Sequence, residues 1–286
     1  MNKPQRLHVQ FLCLITFFIG ALQTTALAET EFSGVKTLFH GFTMFHDTVS
    51  GERIVVPTIP AAGKPWVWRA RFWGHEPQFD LAMLNRGFHL AFCDVGNLFG
   101  NEEAINIGNQ FYKKLVTQYD FSPRPVLEGM SRGGLFVYNW ALANPDCVTA
   151  IYADAPVMDF RSWPGGRRAG KKGQGSKAWD TCLKAYRLSQ SEALTYSKGP
   201  LNLLHVLAKK KIPIIHVIGE EDTVVPPVEN TNIAEVQYTK LGGTIQVIRK
   251  PGVGHHPHSL HDPAPLVEFI ERAWKAAETI GRHHTP

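Results

Sequence analysis

Pro125-Val126-Leu127-Glu128 runs straight into Gly129-Met130-Ser131-Arg132-Gly133-Gly134, and Leu135 to Ala143 follows at once. The reading of the chain turns on this stretch. The first residues are an apolar run of strand character and the last nine a helical run. Between them stands Gly-x-Ser-x-Gly. A strand that turns into a helix within so few residues strains the residue at the corner, so glycines are needed where a side chain would clash. The serine hydroxyl is pushed out above the strand end, which makes Ser131 a candidate nucleophile.

A serine hydroxyl attacks poorly unless a histidine takes its proton and a carboxylate holds that histidine. Both residue types follow in the expected setting. The strand-like run Ile212 to Ile218 leads into Gly219-Glu220-Glu221-Asp222-Thr223-Val224-Val225-Pro226, an acid-bearing loop at a strand end. Thr244 to Arg249 leads into Pro251-Gly252-Val253-Gly254-His255-His256-Pro257-His258, a glycine-flanked histidine loop before the last helical run.

Around this core, short β-branched runs alternate with longer amphipathic ones, the pattern of an α/β fold whose mostly parallel sheet is flanked by helices. The expected strands are Arg53–Ile59, Trp66–Phe72, Phe88–Asp94, Arg124–Glu128, Val148–Ala153, Ile212–Ile218 and Thr244–Arg249. The expected helices are Glu102–Tyr119, Gly133–Ala143, Val228–Leu241 and Pro265–Ala277. Regularity breaks between about 156 and 201, an interval rich in Gly, Ser, Lys and Trp and too long for an ordinary loop. It is expected to be an inserted lid, docked at least partly through Trp163 and Trp179.

The order Ser, Asp, His, with one strand between the late elements, resembles the α/β-hydrolase superfamily from about residue 35 to the C-terminus. The resemblance implies an α/β-hydrolase fold and a catalytic triad of Ser131, Asp222 and His255, with no metal and no organic cofactor. Asp222 matches the family's Gly-x-x-Asp-x-x-Val/Pro loop, with Asp159 as the alternative acid and Glu220 and Glu221 expected to face solvent. His255 follows Gly-x-Gly as the family base does, and its neighbour His256 competes for the role. His258 and His261 are expected to pack within the loop. The histidine-rich run also invites a metal reading, but no acid-and-histidine helix motif accompanies it.

The resemblance also implies an oxyanion hole. One donor is the backbone N–H of Arg132. The other comes from the loop after the third family strand, where relatives carry His-Gly and this chain has Arg71-Phe72-Trp73-Gly74-His75-Glu76-Pro77. Phe72 or Trp73 is the expected donor, with Trp73 preferred. Arg71 is expected either in the site or, by preference, in a structural pair with a strand-end acid.

The chain has 286 residues, 44% hydrophobic and 19% charged, with net charge +5. That excludes a disordered chain, a disulfide-stapled miniprotein and a coiled coil. The dense basic run Arg167–Lys172 sits in a glycine-rich loop rather than a stripe, so no nucleic-acid partner is expected. Lys3 and Arg6, the apolar run Phe11–Ala21 and Ala26-Leu27-Ala28 together read as a cleavable secretory signal over residues 1–28, leaving 29–286 as one catalytic domain. The apolar run is shorter than a membrane span, so a secreted or periplasmic protein with no lasting membrane association is expected. Cleavage would lower the charge to +3 and leave Cys93, Cys147 and Cys182, of which Cys147 and Cys182 could pair.

Substrate hints are two. Arginine after the nucleophile is similar to the arrangement in glucuronoyl esterases and related carbohydrate esterases, where it can assist the oxyanion. Trp73 and Trp163 lie in loops expected near the catalytic face, where flat aromatic rings can stack on a sugar ring. The expected activity is cleavage of a carboxylic ester on a small molecule or polysaccharide. A prolyl-oligopeptidase-like peptidase and a non-catalytic carbohydrate-binding relative are the alternatives. The first usually carries a large extra domain and the second usually lacks a triad member.

Overall fold

A computed structural model of the chain describes residues 32–166 and 176–282. The expected signal over 1–28 and the middle of the expected lid lie outside the described residues. Among the described residues the strands are β1 (Val35–Phe39), β2 (Phe42–His46), β3 (Arg53–Val56), β4 (Trp66–Ala70), β5 (His89–Phe92), β6 (Val126–Met130), β7 (Ala150–Asp154), β8 (Ile214–Gly219) and β9 (Ile245–Lys250). The helices are α1 (Gln78–Asn85), α2 (Glu102–Gln118), α3 (Gly133–Ala143), α4 (Lys177–Tyr186), α5 (Gln190–Thr195), α6 (Pro200–Lys209), α7 (Thr231–Lys240) and α8 (Ala264–Arg282).

The strands form one sheet in the order β1-β2-β3-β5-β4-β6-β7-β8-β9. From β5 to β9 the pairing is parallel, and β1, β2 and β3 add an antiparallel edge. Every residue of β4 to β8 is buried, because helices cover both faces and such strands read as continuous apolar runs. On one face α2, α3, α6 and α7 pack through Phe111, Phe136, Trp140, Leu207 and Tyr238. On the other, α1 and α8 pack through Phe79, Met83, Leu266 and Ile270.

The β1–β2 hairpin was not anticipated from the pattern. Four of the five β1 residues are exposed, so the strand buries too little to mark itself. Its reversal depends on His40 and Gly41, both at positive φ, the geometry a two-residue hairpin turn demands. Helix α1, only eight residues long, was also missed. Helix α2 starts as its sequence suggests: Asn101 caps it by accepting from the Ala104 N–H at 3.0 Å, and Glu102 and Glu103 fill the first turn.

The interval between β7 and β8 holds α4, α5 and α6. Ser176 caps α4, and Ser189 with Glu192 forms a capping box on α5. Trp179, Phe160, Cys182 and Ala193 bury against Phe99, Leu135 and Val225, a third apolar cluster. Cys93, Cys147 and Cys182 are all free thiols, so the Cys147–Cys182 pairing does not form. Burial pushes the Cys182 thiol up to about 12, which keeps it protonated and inert. Among the described residues no helix is long and apolar enough to cross a membrane.

Strand order reverses between β4 and β6. Helix α1 leaves β4 towards one face and α3 leaves β6 towards the other, so the loops after these strands diverge and open a crevice at their carboxyl ends.

Candidate active site

Ser131 stands at that crevice, one residue beyond β6, with φ at 49°. A non-glycine residue in the left-handed region carries steric strain and persists only where the surroundings impose it. Here they do. The Ser131 N–H donates to the Asp154 carbonyl at 2.8 Å, and the Ser131 carbonyl accepts from Gly134 and Val157 at 2.9 Å each. Close approach explains the flanking glycines. A Cβ at Gly133 would fall 2.5 Å from the Ala70 carbonyl oxygen, and one at Gly129 would fall 2.5 Å from a Val137 methyl.

The loops after β8 and β9 continue the parallel ladder past the strand ends. Glu220 N–H donates to the Lys250 carbonyl at 3.1 Å and Glu221 N–H to the Val253 carbonyl at 2.9 Å. This zipping sets Asp222 against His255. His255 Nδ1 donates to Asp222 Oδ2 at 2.6 Å, and Ser131 Oγ lies 3.0 Å from His255 Nε2. The other carboxylate oxygen, Oδ1, accepts from the Val224 and Val225 N–H groups at 2.8 Å each, which fixes the acid's orientation. With Asp222 as an acceptor, the ring proton sits on Nδ1 and the Nε2 lone pair faces the hydroxyl. Ser131 and Asp222 are buried, and His255 is half-buried.

The competing residues fall elsewhere. His256 is exposed, and its ring rests edge-on against His255, His258 and His75. Burial, then the neighbouring histidines, lowers its pKa. Asp159 is committed to Arg161, which it binds through both oxygens at 2.7–3.0 Å. Glu220 and Glu221 face solvent. His261 is exposed, against the expectation of loop packing, because the chain has by then turned outward to begin α8. His258 is buried and donates from Nδ1 to Asp154 Oδ1 at 2.6 Å. Asp154 Oδ2 accepts from the Ser259 N–H at 2.6 Å and from the Tyr152 hydroxyl at 3.2 Å. Sequence reasoning missed this second acid–histidine pair. Its only signal was an acid at the end of the strand beside Ser131's own.

The loop after β4 is held from below. Buried Arg69 bonds Asp80, Glu128 and the His75 carbonyl, and donates from Nε to the Phe72 carbonyl at 3.3 Å. Desolvation raises the Glu128 pKa well above the ordinary carboxylate range, opposed by Arg69. Arg71 and Phe72 are both left-handed, at φ 68° and 47°. Trp73 turns its ring away from the crevice onto Phe39 and Phe92, with the Arg53 guanidinium 5.5 Å from its centroid. The Phe72 ring faces Arg132, whose guanidinium lies 5.6 Å from its centroid. Arg71 pairs with the strand-end acid Asp94 at 3.4 Å, yet stays on the rim of the crevice.

Trp163 is half-buried, its ring 6.0 Å from the Arg132 guanidinium and 6.1 Å from the Phe99 centroid. With Ser162, Val224, Pro226 and Glu229 it lines a cleft of about 280 Å³ beside the acid loop. A larger cavity, about 990 Å³, opens between α2, α3 and the end of α4, and none of Ser131, Asp222 or His255 lines it. None of the three lines the smaller cleft either, which adjoins Asp222 along the chain through Thr223 and Val224.

No family model matches the chain. No curated protein matches it either. Solved structures do. Est1E from Butyrivibrio proteoclasticus is 21% identical, with TM-score 0.55, and the match covers 85% of this chain and 98% of that one. Puromycin hydrolase (15%, TM-score 0.57) matches over 87% of this chain and 39% of its own. The Pyrococcus horikoshii acylaminoacyl peptidase (15%, TM-score 0.52) matches over 81% and 39%. The chain thus spans about two fifths of the length of the latter two. Together with the strand order and the crevice, these likenesses give the chain the α/β-hydrolase fold.

Proposed function

We propose that the protein is a serine hydrolase that cleaves a carboxylic ester through an acyl-enzyme. The observation that carries this reading is the hydrogen-bonded relay from Ser131 Oγ to His255 Nε2 and from His255 Nδ1 to Asp222. His255 takes the hydroxyl proton as Oγ attacks the ester carbonyl. The oxyanion is met by the Arg132 N–H and by an N–H of the Phe72–Trp73 turn, each such donor being worth about 3 kcal/mol in the transition state. Collapse breaks the ester C–O bond, and His255 returns its proton to the departing alcohol. Water, deprotonated by the same histidine, then releases the acid and restores Ser131.

The exported setting follows from the N-terminal pattern of Lys3, Arg6, Phe11–Ala21 and Ala26-Leu27-Ala28. A carbohydrate ester fits Trp163, a half-exposed aromatic ring beside the acid loop. A peptidase reading draws support from the acylaminoacyl peptidase among the structural neighbours. A neutral fluorophosphonate, followed by matched ester and amide substrates, tests both readings. Labelling of wild type but not of Ser131→Ala, with esters turned over and amides inert, is the expected result. Faster amide cleavage would transfer the assignment to a peptidase, and an unlabelled wild type would end the hydrolase reading.

A further inference from the structure

The relay uses neither of the two arginines at the crevice. Arg71 directly follows β4 in the left-handed region, and its Cβ lies 3.5 Å from where a Cβ of Gly133 would stand, across from the first turn of α3. Arg132 directly follows the nucleophile. Their guanidinium carbons stand 5.5 and 5.6 Å from the centroid of one ring, that of Phe72. Gly96 leaves room for Arg71, since a Cβ there would fall 2.0 Å from Arg71 Nη1.

Two guanidiniums present ten N–H donors. The structure gives their heads little to bond. Arg71 Nη1 reaches Asp94 Oδ1 at 3.4 Å, on a side chain that is 58% exposed and already accepts from the Gly96 N–H. Arg132 Nη1 reaches Asn97 Oδ1, also at 3.4 Å. Both distances lie at the long limit of a hydrogen bond. Arg71 Nε is shielded from solvent and meets no acceptor among the described residues. Partial burial, followed by the nearness of Arg71, lowers the Arg132 pKa, a sign that the two cations repel each other. One exposed carboxylate thus faces two cations beside Ser131, and an arrangement this costly is relieved by an incoming anion.

We infer that the esters this protein prefers carry an oxyanion group, carboxylate or sulfate-like, close to the scissile carbonyl, held by Arg71 and Arg132 over the Phe72 ring. The inference rests on the hydrolase reading. It adds Arg71 as a specificity-determining residue and Asp94 as the internal anion that competes with the substrate.

The test is a panel of aryl esters of matched leaving-group acidity: neutral, carboxylate-bearing and sulfonate-bearing, with the anion on either the acyl or the alcohol side. At low ionic strength, wild type is expected to favour at least one anionic ester over its neutral partner by tenfold or more in kcat/KM, a preference that shrinks as salt is added. Arg71→Met should cut that ratio at least tenfold through KM, Arg71→Lys should restore part of it, and Asp94→Asn should raise it. The Asp94→Asn gain cannot arise from misfolding. Carboxylate favoured over sulfonate identifies a carboxylate source, and the reverse order a sulfate ester. An unchanged ratio in Arg71→Met, or no anionic preference in an enzyme that the neutral fluorophosphonate labels, overturns this inference alone. Absence of labelling would instead remove the hydrolase reading beneath it.

Discussion

Two carboxylate–histidine pairs stand side by side beyond the carboxyl ends of the parallel strands. Asp222–His255 and Asp154–His258 have the same Nδ1-to-carboxylate distance, 2.6 Å, and the two imidazole rings lie 4.8 Å apart, centroid to centroid. What separates them is the surroundings of each. His255 Nε2 faces the Ser131 hydroxyl, and Asp222 keeps one oxygen for the ring and gives the other to two backbone N–H groups. Asp154 gives its oxygens to His258, to the Ser259 N–H and to the Tyr152 hydroxyl, while its main-chain carbonyl accepts from Ser131 N–H. One pair is the proton relay of the proposed function. The other ties the histidine loop and the nucleophile turn to the same strand end.

That contrast can be broken most sharply at the relay itself. Ser131→Ala and His255→Ala should each lower kcat/KM on an activated ester by about 10⁴- to 10⁶-fold, and the double variant by little more, because the two act as a unit. His258→Ala, assayed alongside, should retain most of the activity. Comparable loss in His255→Ala and His258→Ala would erase the distinction.

Replacing each acid comes next. Asp222→Asn should cost about 10⁴-fold in kcat by presenting the wrong tautomer of His255. Asp154→Asn should cost at most about tenfold, through a displaced loop. Its main effect should appear in denaturant unfolding as a loss of about 1–3 kcal/mol, because the amide cannot accept every bond the carboxylate accepted. A catalytic loss in Asp154→Asn equal to that in Asp222→Asn would show that the second pair takes part in proton transfer.

Histidines buried without a carboxylate partner sharpen the comparison further. Burial pushes His216 down to about 3 and His89 down to about 4, and His216 bonds Tyr138 and Thr231 instead of an acid. Both are neutral in the fold but take a proton when unfolded near pH 6.5. Their contribution to stability is therefore complete above about pH 6.5 and is lost as the pH falls towards 4, at up to about 1.4 kcal/mol per unit for each. Thermal melts from pH 7 to 4 should fall with that slope, and a replacement of His216 should flatten it. A melt independent of pH over that range would contradict the assignment. The smallest effect is expected at exposed His256, where alanine should change activity by about twofold or less.

Much of this was legible in the sequence because it rests on local rules. Strand, elbow and helix around Ser131 are adjacent along the chain, and each glycine there answers to a close approach within that unit or onto the next strand. The Asp222 and His255 loops each follow a recognisable strand, so their order could be read. The β1–β2 hairpin could not, since an exposed edge strand buries too little apolar surface to leave a pattern. Nor could Arg69 with Asp80 and Glu128, three ionisable groups 11 and 59 residues apart that meet only because β4 pairs with β6 and α1 folds back onto them.

Sequence alone thus determined the fold class, the strained serine turn and the acid and histidine loops, because periodicity and turn chemistry are properties of neighbouring residues. Tertiary structure alone chose between His255 and His256, since adjacent side chains point apart and only the zipped β8 and β9 loops settle which one meets Ser131. It likewise decided that Trp73 faces the core while Phe72 faces Arg132, and that Arg71 and Arg132 share one ring. Those outcomes depend on strand register across the sheet, and register is fixed by packing between residues far apart in the chain.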